Sequence, residues 1–216
     1  MIVKCLRDSF GNYLLINYVY PVVSYKQKGM KEEVQYQILD EGGSLSYIPE
    51  KYFAVIHDNK NNYIRQLDQM GEEEFIYKNL YNKNFYEAFY SENQQSINAR
   101  TLLNEALVDV LTTECSKEEL FSMLKTLDYK GENYEMILQA FFRDANESVV
   151  TQFANVMYDT ILEYNEVLIK AVIEGVKKYR STDIENFLTN LYINKTFKEK
   201  EIVDSLTYLL VENNFS

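Results

Sequence analysis

The chain has 216 residues, 46% of them hydrophobic and 25% charged, which is ordinary globular composition and enough chain to bury a real core. A net charge of −11 argues against nucleic acid or an anionic membrane as the main partner, because phosphate surfaces demand clustered Lys and Arg. Two cysteines, Cys5 and Cys115, make neither a disulfide framework nor a Cys-based metal site, and they suit a reducing compartment.

The chain opens MIVKCLRDSF, with Lys4, Arg7 and Asp8 where a secretion signal would place an apolar run. The longest apolar stretch, residues 13–25, is interrupted by Asn17, Pro21 and Ser24, so no membrane span is expected and the location is read as cytoplasmic. Residues 1–71 then read in strands: IVKCL, YLLINYVYPVVSY, EVQYQIL, SLSYI and YFAVI. Turn signals separate them at Asp8-Ser9-Phe10-Gly11-Asn12, at Lys28-Gly29 and at Asp40-Glu41-Gly42-Gly43. Five of seven glycines and both prolines, Pro21 and Pro49, fall in this first segment. Its 8 basic and 8 acidic residues cancel.

The order of these strands, with the acidic-glycine hairpin and the proline corner in YIPEKYFAV, resembles the small SH3-like barrels of bacterial and phage proteins. That resemblance implies a closed five-stranded barrel over residues 1–60 and a Pro49 turn into the last strand. The groove Trp with which the family binds proline-rich ligands is absent. Tyr47 and Tyr52 remain as groove aromatics or as wall and core.

Residues 61–71 read as a linker. Beyond Gly71 only Gly131 and Gly175 interrupt a helical pattern, and no proline occurs. Capping boxes are expected at Ser91-x-x-Gln94, Ser116-x-x-Glu119, Thr182-x-x-Glu185 and Thr196-x-x-Glu199. Apolar stripes with helical spacing follow: Leu102, Leu103, Ala106, Leu107, Val110 and Leu111; Leu120, Phe121, Leu124 and Leu127; Val150, Phe153, Ala154, Met157, Tyr158, Ile161 and Leu162. ESVVTQFANVMY at 147–158 aligns with STDIENFLTNLY at 181–192, and the preceding helices align with Met136 and Ile137 against Val167 and Leu168. The pairing resembles hairpins of HEAT-type repeats. An α+β fold is expected: the barrel, the linker, and an acidic all-α domain over 72–216 built as a hairpin bundle or a short HEAT-like array. Residues 72–216 hold 14 basic and 25 acidic residues, so the whole net charge lies there.

Chemistry is sparse. His57 is the only histidine, so multi-His metal sites are excluded, and a Cys5–His57 dyad would lack a third member. Gly42-Gly43 is a turn rather than a phosphate loop. No catalytic residue, cofactor or metal site is expected. Glu72, Glu73 and Glu74 read as the acidic start of a helix, and Asp144, Glu147, Asp183 and Glu185 as acids at later helix starts.

The segment FIYKNLYNKNFYEAFY, residues 75–90, places seven aromatics in 16 residues. Read as one helix, it carries Tyr77, Tyr81, Phe85 and Phe89 on one face with Tyr86 and Tyr90 beside them. These rings either fill a seam or form a tyrosine-rich recognition surface.

The expected function is non-enzymatic: a binding or inhibitor protein whose acidic helices capture a basic partner protein, with opposite charge steering the encounter. A toxin-immunity protein or a phage-borne inhibitor fits that reading. A structural or assembly protein using the barrel for oligomer contacts, and a DNA mimic, are the alternatives. The candidate contact residues are Tyr77, Tyr81, Tyr86, Tyr90, Glu72, Glu73, Glu74, Asp144, Glu147, Asp183 and Glu185. No direct nucleic-acid contact is expected, and composition does not set the oligomeric state.

Overall fold

Short runs rich in Val, Ile and Tyr form strands in the first part of the chain, and longer stripes with helical period form helices in the second. The computed structural model describes residues 1–7, 14–27, 34–68, 71–81, 84–128 and 133–213, with side chains to residue 211. The turn signals at Asp8 to Asn12 and at Lys28-Gly29 lie outside the described residues, as does Gly131. The fold is α+β. The chain divides into two compact units, Met1–Cys115 with Gly131–Met136, and Ser116–Lys130 with Ile137–Ser216.

In the first unit, β1 (Ile2–Cys5) lies between β2 (Val19–Pro21) and β6 (Phe53–His57) in a three-stranded sheet. A second sheet has the order β5-β4-β3-β8-β7, from β3 (Ser24–Lys26), β4 (Gln35–Leu39), β5 (Leu45–Pro49), β7 (Tyr63–Leu67) and β8 (Glu73–Tyr77). Every pairing is antiparallel. The chain switches sheets three times, between β2 and β3, between β5 and β6, and between β6 and β7. At Val22 and Val23, one N–H donates to Met1 O and the next to Gln37 O. At the proline corner, β5 ends on Pro49 and a 3₁₀ turn, Glu50–Tyr52, leads into β6.

The expected closed barrel does not form; the sheets are open. Strands of three to five residues are too short to wrap into one another, and the hairpin β7–β8 extends the second sheet beyond β3. Residues 61–71, expected as a linker, contain β7 and the turn into β8.

One face of the five-stranded sheet is aromatic. Tyr25 stacks on Phe75 at 4.8 Å between ring centres, and Tyr63 meets Tyr77 edge-on at 5.6 Å. Alternation puts Ser24, Lys26, Gln37, Tyr47, Gln66 and Glu74 on the other face. The first unit is completed by α1 (Phe85–Phe89) and α2 (Gln94–Glu114), with Leu103, Ala106, Leu107, Val110 and Leu111 buried along α2 as the stripe predicts.

Helices α3 (Lys117–Thr126), α5 (Glu147–Glu163), α6 (Glu166–Val176), α7 (Thr182–Asn194) and α8 (Lys200–Asn213) build the second unit, and the boundary falls inside α4 (Asn133–Phe142). Helix α5 packs against α3 and α7, while α8 packs against α6 and α7. Val150, Phe153, Ala154 and Met157 are buried, as are their counterparts Ile184, Phe187, Leu188 and Leu191. The second half of the repeat departs from this equivalence, since Met136 is buried and its counterpart Val167 is exposed.

Helix starts follow local chemistry. The Ser116–Glu119 capping box forms, whereas α2, α5 and α6 start at Asn93, Asn146 and Asn165, each accepting a first-turn N–H. Ser181 rather than Thr182 caps α7. Ser91 turns back to Ala88 O and Asn93, so its expected box is replaced. The box expected at Thr196 is also replaced: Glu166 accepts from the N–H groups of Lys198 and Glu199 at 2.7 and 3.0 Å.

Candidate functional site

The segment expected as one acidic, tyrosine-rich helix is three elements. Glu73 and Glu74 lie in β8, a 3₁₀ turn covers Lys78–Leu80, and only Phe85–Phe89 is α-helical. Alternating burial in EEFIY and its pairing with β3 and β7 outweigh helix-compatible charge. The i, i+4 aromatic face therefore does not exist.

Tyr77 is buried and donates to Asp109 Oδ2 at 2.6 Å, and Phe85 and Phe89 are buried as well. These rings fill the first unit's own core. Tyr81 and Tyr90 are exposed, Tyr90 with its hydroxyl on Leu45 O at 3.2 Å. Glu73 pairs with Arg65 in the open, and Glu72 with Lys26 at 3.8 Å.

Glu74 is the exception. It is fully buried on the polar face of the sheet, and its carboxylate accepts from three side chains: Tyr47 OH, Tyr86 OH at 2.6 Å and Gln66 Nε2 at 2.9 Å. Cross-strand register assembles this network. Gln66 lies directly opposite Glu74, Gln37 lies between Ser24 and Tyr47, and Ser24 Oγ donates to Gln37 Oε1 at 3.0 Å. Tyr86 comes from α1 and also reaches Gln37 Oε1 at 2.8 Å, so the network fastens this short helix to the sheet. Lys26, opposite Glu74 in register, sits over the Tyr47 ring at 4.5 Å and pairs with Asp68. Burial and the adjoining carboxylate push the Tyr47 and Tyr86 hydroxyls far above the ordinary tyrosine range. They act here as donors, and the network is a structural clamp around the buried carboxylate.

Sequence reading missed the partners Ser24, Gln37 and Gln66. Their signal was present, because each is a polar residue at an alternating position in a strand, but only register identifies which of them meet.

The Cys5–His57 dyad is not formed. Cys5 pairs with Phe53 and His57 with Ile2, at opposite ends of the β1–β6 ladder. Within the first unit the imidazole of His57 and the thiol of Cys115 instead bring ligand atoms within 4.8 Å of each other. Both are ordinary donors to a borderline cation such as zinc.

In the second unit the four expected acids do not converge. Asp144 follows α4 in a left-handed turn, φ 57°, a conformation Asp tolerates better than most residues. It is therefore not at a helix start. Glu147 opens α5, and Asp183 and Glu185 lie in the first turn of α7, where negative charge complements the helix dipole.

The surface that gathers acids and apolar groups lies on α8. Glu201, Asp204, Tyr208 and Val211 recur at three- and four-residue spacing on its exposed side, Tyr208 at 61% and Val211 at 51% exposure. Tyr208 and both acids line a groove of about 520 Å³ against Ile173 and Glu174 of α6 and Lys177 just after it. Lys170 pairs with Glu201 at 2.7 Å and Lys177 with Glu174, while Asp204 makes no ion pair among the described residues. No helix among the described residues is long and apolar enough to cross a membrane.

No family model matches the chain, and neither a curated protein nor a solved structure is significantly similar to it.

Proposed function

We propose that the chain is a non-enzymatic binding protein that captures a basic partner protein through the helical unit. The observation that carries this reading is the α8 stripe, where Glu201, Asp204 and the exposed Tyr208 line a groove and the exposed Val211 continues the stripe beyond it. An exposed tyrosine with an apolar neighbour supplies contact area, and carboxylates at its rim choose a cationic partner. Packing of α5 against α3 and α7, with α6 against α8, supports reading the unit as a short HEAT-like array, an architecture that presents extended binding surfaces. Lysines interleave with the acids on this face, which favours a protein partner over imitation of a phosphate backbone. Work in the cytosol, where Cys5 and Cys115 stay reduced, and inhibition of a toxin or nuclease belong to the same reading.

The test compares wild type with the triple variant Glu201→Lys, Asp204→Lys, Tyr208→Ala as bait. A basic protein retained by wild type and lost by the variant supports the reading. Equal retention by both, or no basic protein on either, contradicts it.

A further inference from the structure

The groove between α6 and α8 gathers three surfaces of different chemistry. Its floor is apolar, formed by the buried side chains of Ile173 and Leu209. On its α8 wall, Asp204 and Tyr208 stand one turn apart, an i, i+4 spacing that places their Cβ atoms about 6 Å from each other on one helix face. The Tyr208 ring is largely exposed there. The other carboxylates of the groove are answered from within the unit, Glu201 by Lys170 and Glu174 by Lys177. Asp204 is the groove carboxylate that makes no ion pair among the described residues. Lys200, one turn before Asp204, also lines the groove and is the internal competitor for it. A lysine placed before the acid is the less favourable i, i+4 order, so this competition is weak.

We propose that this groove is an arginine site. A partner's arginine lays its aliphatic stem on Ile173 and Leu209, stacks its guanidinium on the Tyr208 ring and sets the edge of that group against Asp204. The inference rests on the reading of the helical unit as the surface that takes a basic protein, and it names the side chain which that surface selects. A guanidinium is planar, so its face covers a ring while its N–H groups reach a carboxylate in the same plane. An ammonium is a compact, strongly hydrated point charge that cannot present a flat face to the ring and a fork to the acid together. The stem of either residue gains from an apolar floor, so the stem adds affinity and the head group makes the choice. Net charge alone draws lysine-rich and arginine-rich proteins alike. The Asp204–Tyr208 pair is what separates them.

Tri-arginine and tri-lysine peptides, both acetylated and amidated, carry equal charge and so isolate the head group. NMR titration of the full chain gives a dissociation constant for each. Wild type should bind tri-arginine about threefold or more tighter than tri-lysine, with shifts at the Tyr208 ring. Tyr208→Leu should abolish that preference, and Asp204→Asn should weaken tri-arginine about threefold or more. Circular dichroism verifies the fold of each variant, and if Tyr208→Leu unfolds, Asp204→Asn decides. Equal binding of the two peptides, or no tri-arginine binding up to about 10 mM, overturns the proposal. So does a folded Tyr208→Leu that keeps the preference, or a folded Asp204→Asn that keeps the affinity. A basic protein captured by wild type despite such a result leaves partner capture standing and removes only the arginine site. An arginine preference with no basic protein captured does the reverse.

Discussion

Gly175 and Phe142 are packed so closely that a Cβ on the glycine would lie 2.3 Å from ring carbons of the phenylalanine. The ring cannot swing aside, because Phe142 is buried and meets Phe141 at 5.3 Å and Phe153 at 5.0 Å. An alanine late in α6 would ordinarily add about 1 kcal/mol through helix propensity. Overpacking of about 1–3 kcal/mol opposes it here, so Gly175→Ala should lower the urea midpoint. Phe142→Leu in the same background should recover part of the loss. A higher midpoint for Gly175→Ala alone would contradict this packing.

Glu74 is the second point of high sensitivity. Glu74→Ala leaves three half-buried donors, Tyr47, Tyr86 and Gln66, without their acceptor and should destabilise the first unit by about 1–3 kcal/mol. Tyr86→Phe removes one donor and should cost about 1–2 kcal/mol. Because the two share one network, the double variant should lose less than the sum. Additive losses in a double-mutant cycle would show that α1 is held by its phenylalanines alone.

Alkaline pH reads the buried tyrosines together. Burial raises Tyr36 to about 12 and pushes Tyr20, Tyr47, Tyr63, Tyr77 and Tyr86 well above the ordinary tyrosine range. In the unfolded chain these hydroxyls ionise near pH 10. The native state then holds more protons than the unfolded state above that pH, so stability falls as pH rises. Melts should be level with respect to these groups below about pH 9.5 and decline progressively from about pH 10 to 12. Absorbance titration should show a late-ionising class released on unfolding. Ionisation of every tyrosine near pH 10 in the folded protein would be incompatible with this burial.

Glu166 ties the start of α8 to the start of α6 through the N–H groups of Lys198 and Glu199. Glu166→Ala should cost about 1–2 kcal/mol. Hydrogen exchange at the first turn of α8 should accelerate while α5 remains protected. Unchanged exchange there would mean that packing of Ile202 and Leu206 suffices to hold the helix.

The helical stripes and the strand–helix order were legible in the amino-acid sequence because burial follows a fixed period. Val150, Phe153 and Ile184 lie inside as that period requires. Caps were legible only at Ser116, because Asn93, Asn146 and Asn165 do the same work without the Ser/Thr-x-x-Glu pattern. The segment around Glu72 to Tyr90 was misread for a physical reason: charges and rings at helical spacing are also compatible with a strand. The deciding fact is pairing with Tyr25 and Arg65, distant in sequence. The Glu74 network was illegible for the same cause, since it depends on register. The α8 stripe was visible as a pattern, yet its groove required the position of α6.

Partner capture by the helical unit is tested most directly by affinity capture at about 50 mM and about 500 mM salt, with wild type and the Glu201→Lys, Asp204→Lys, Tyr208→Ala variant side by side. The predicted result is a basic protein retained by wild type at low salt, released at high salt and absent from the variant. Retention that ignores both salt and substitution, or no basic protein under any condition, contradicts the account.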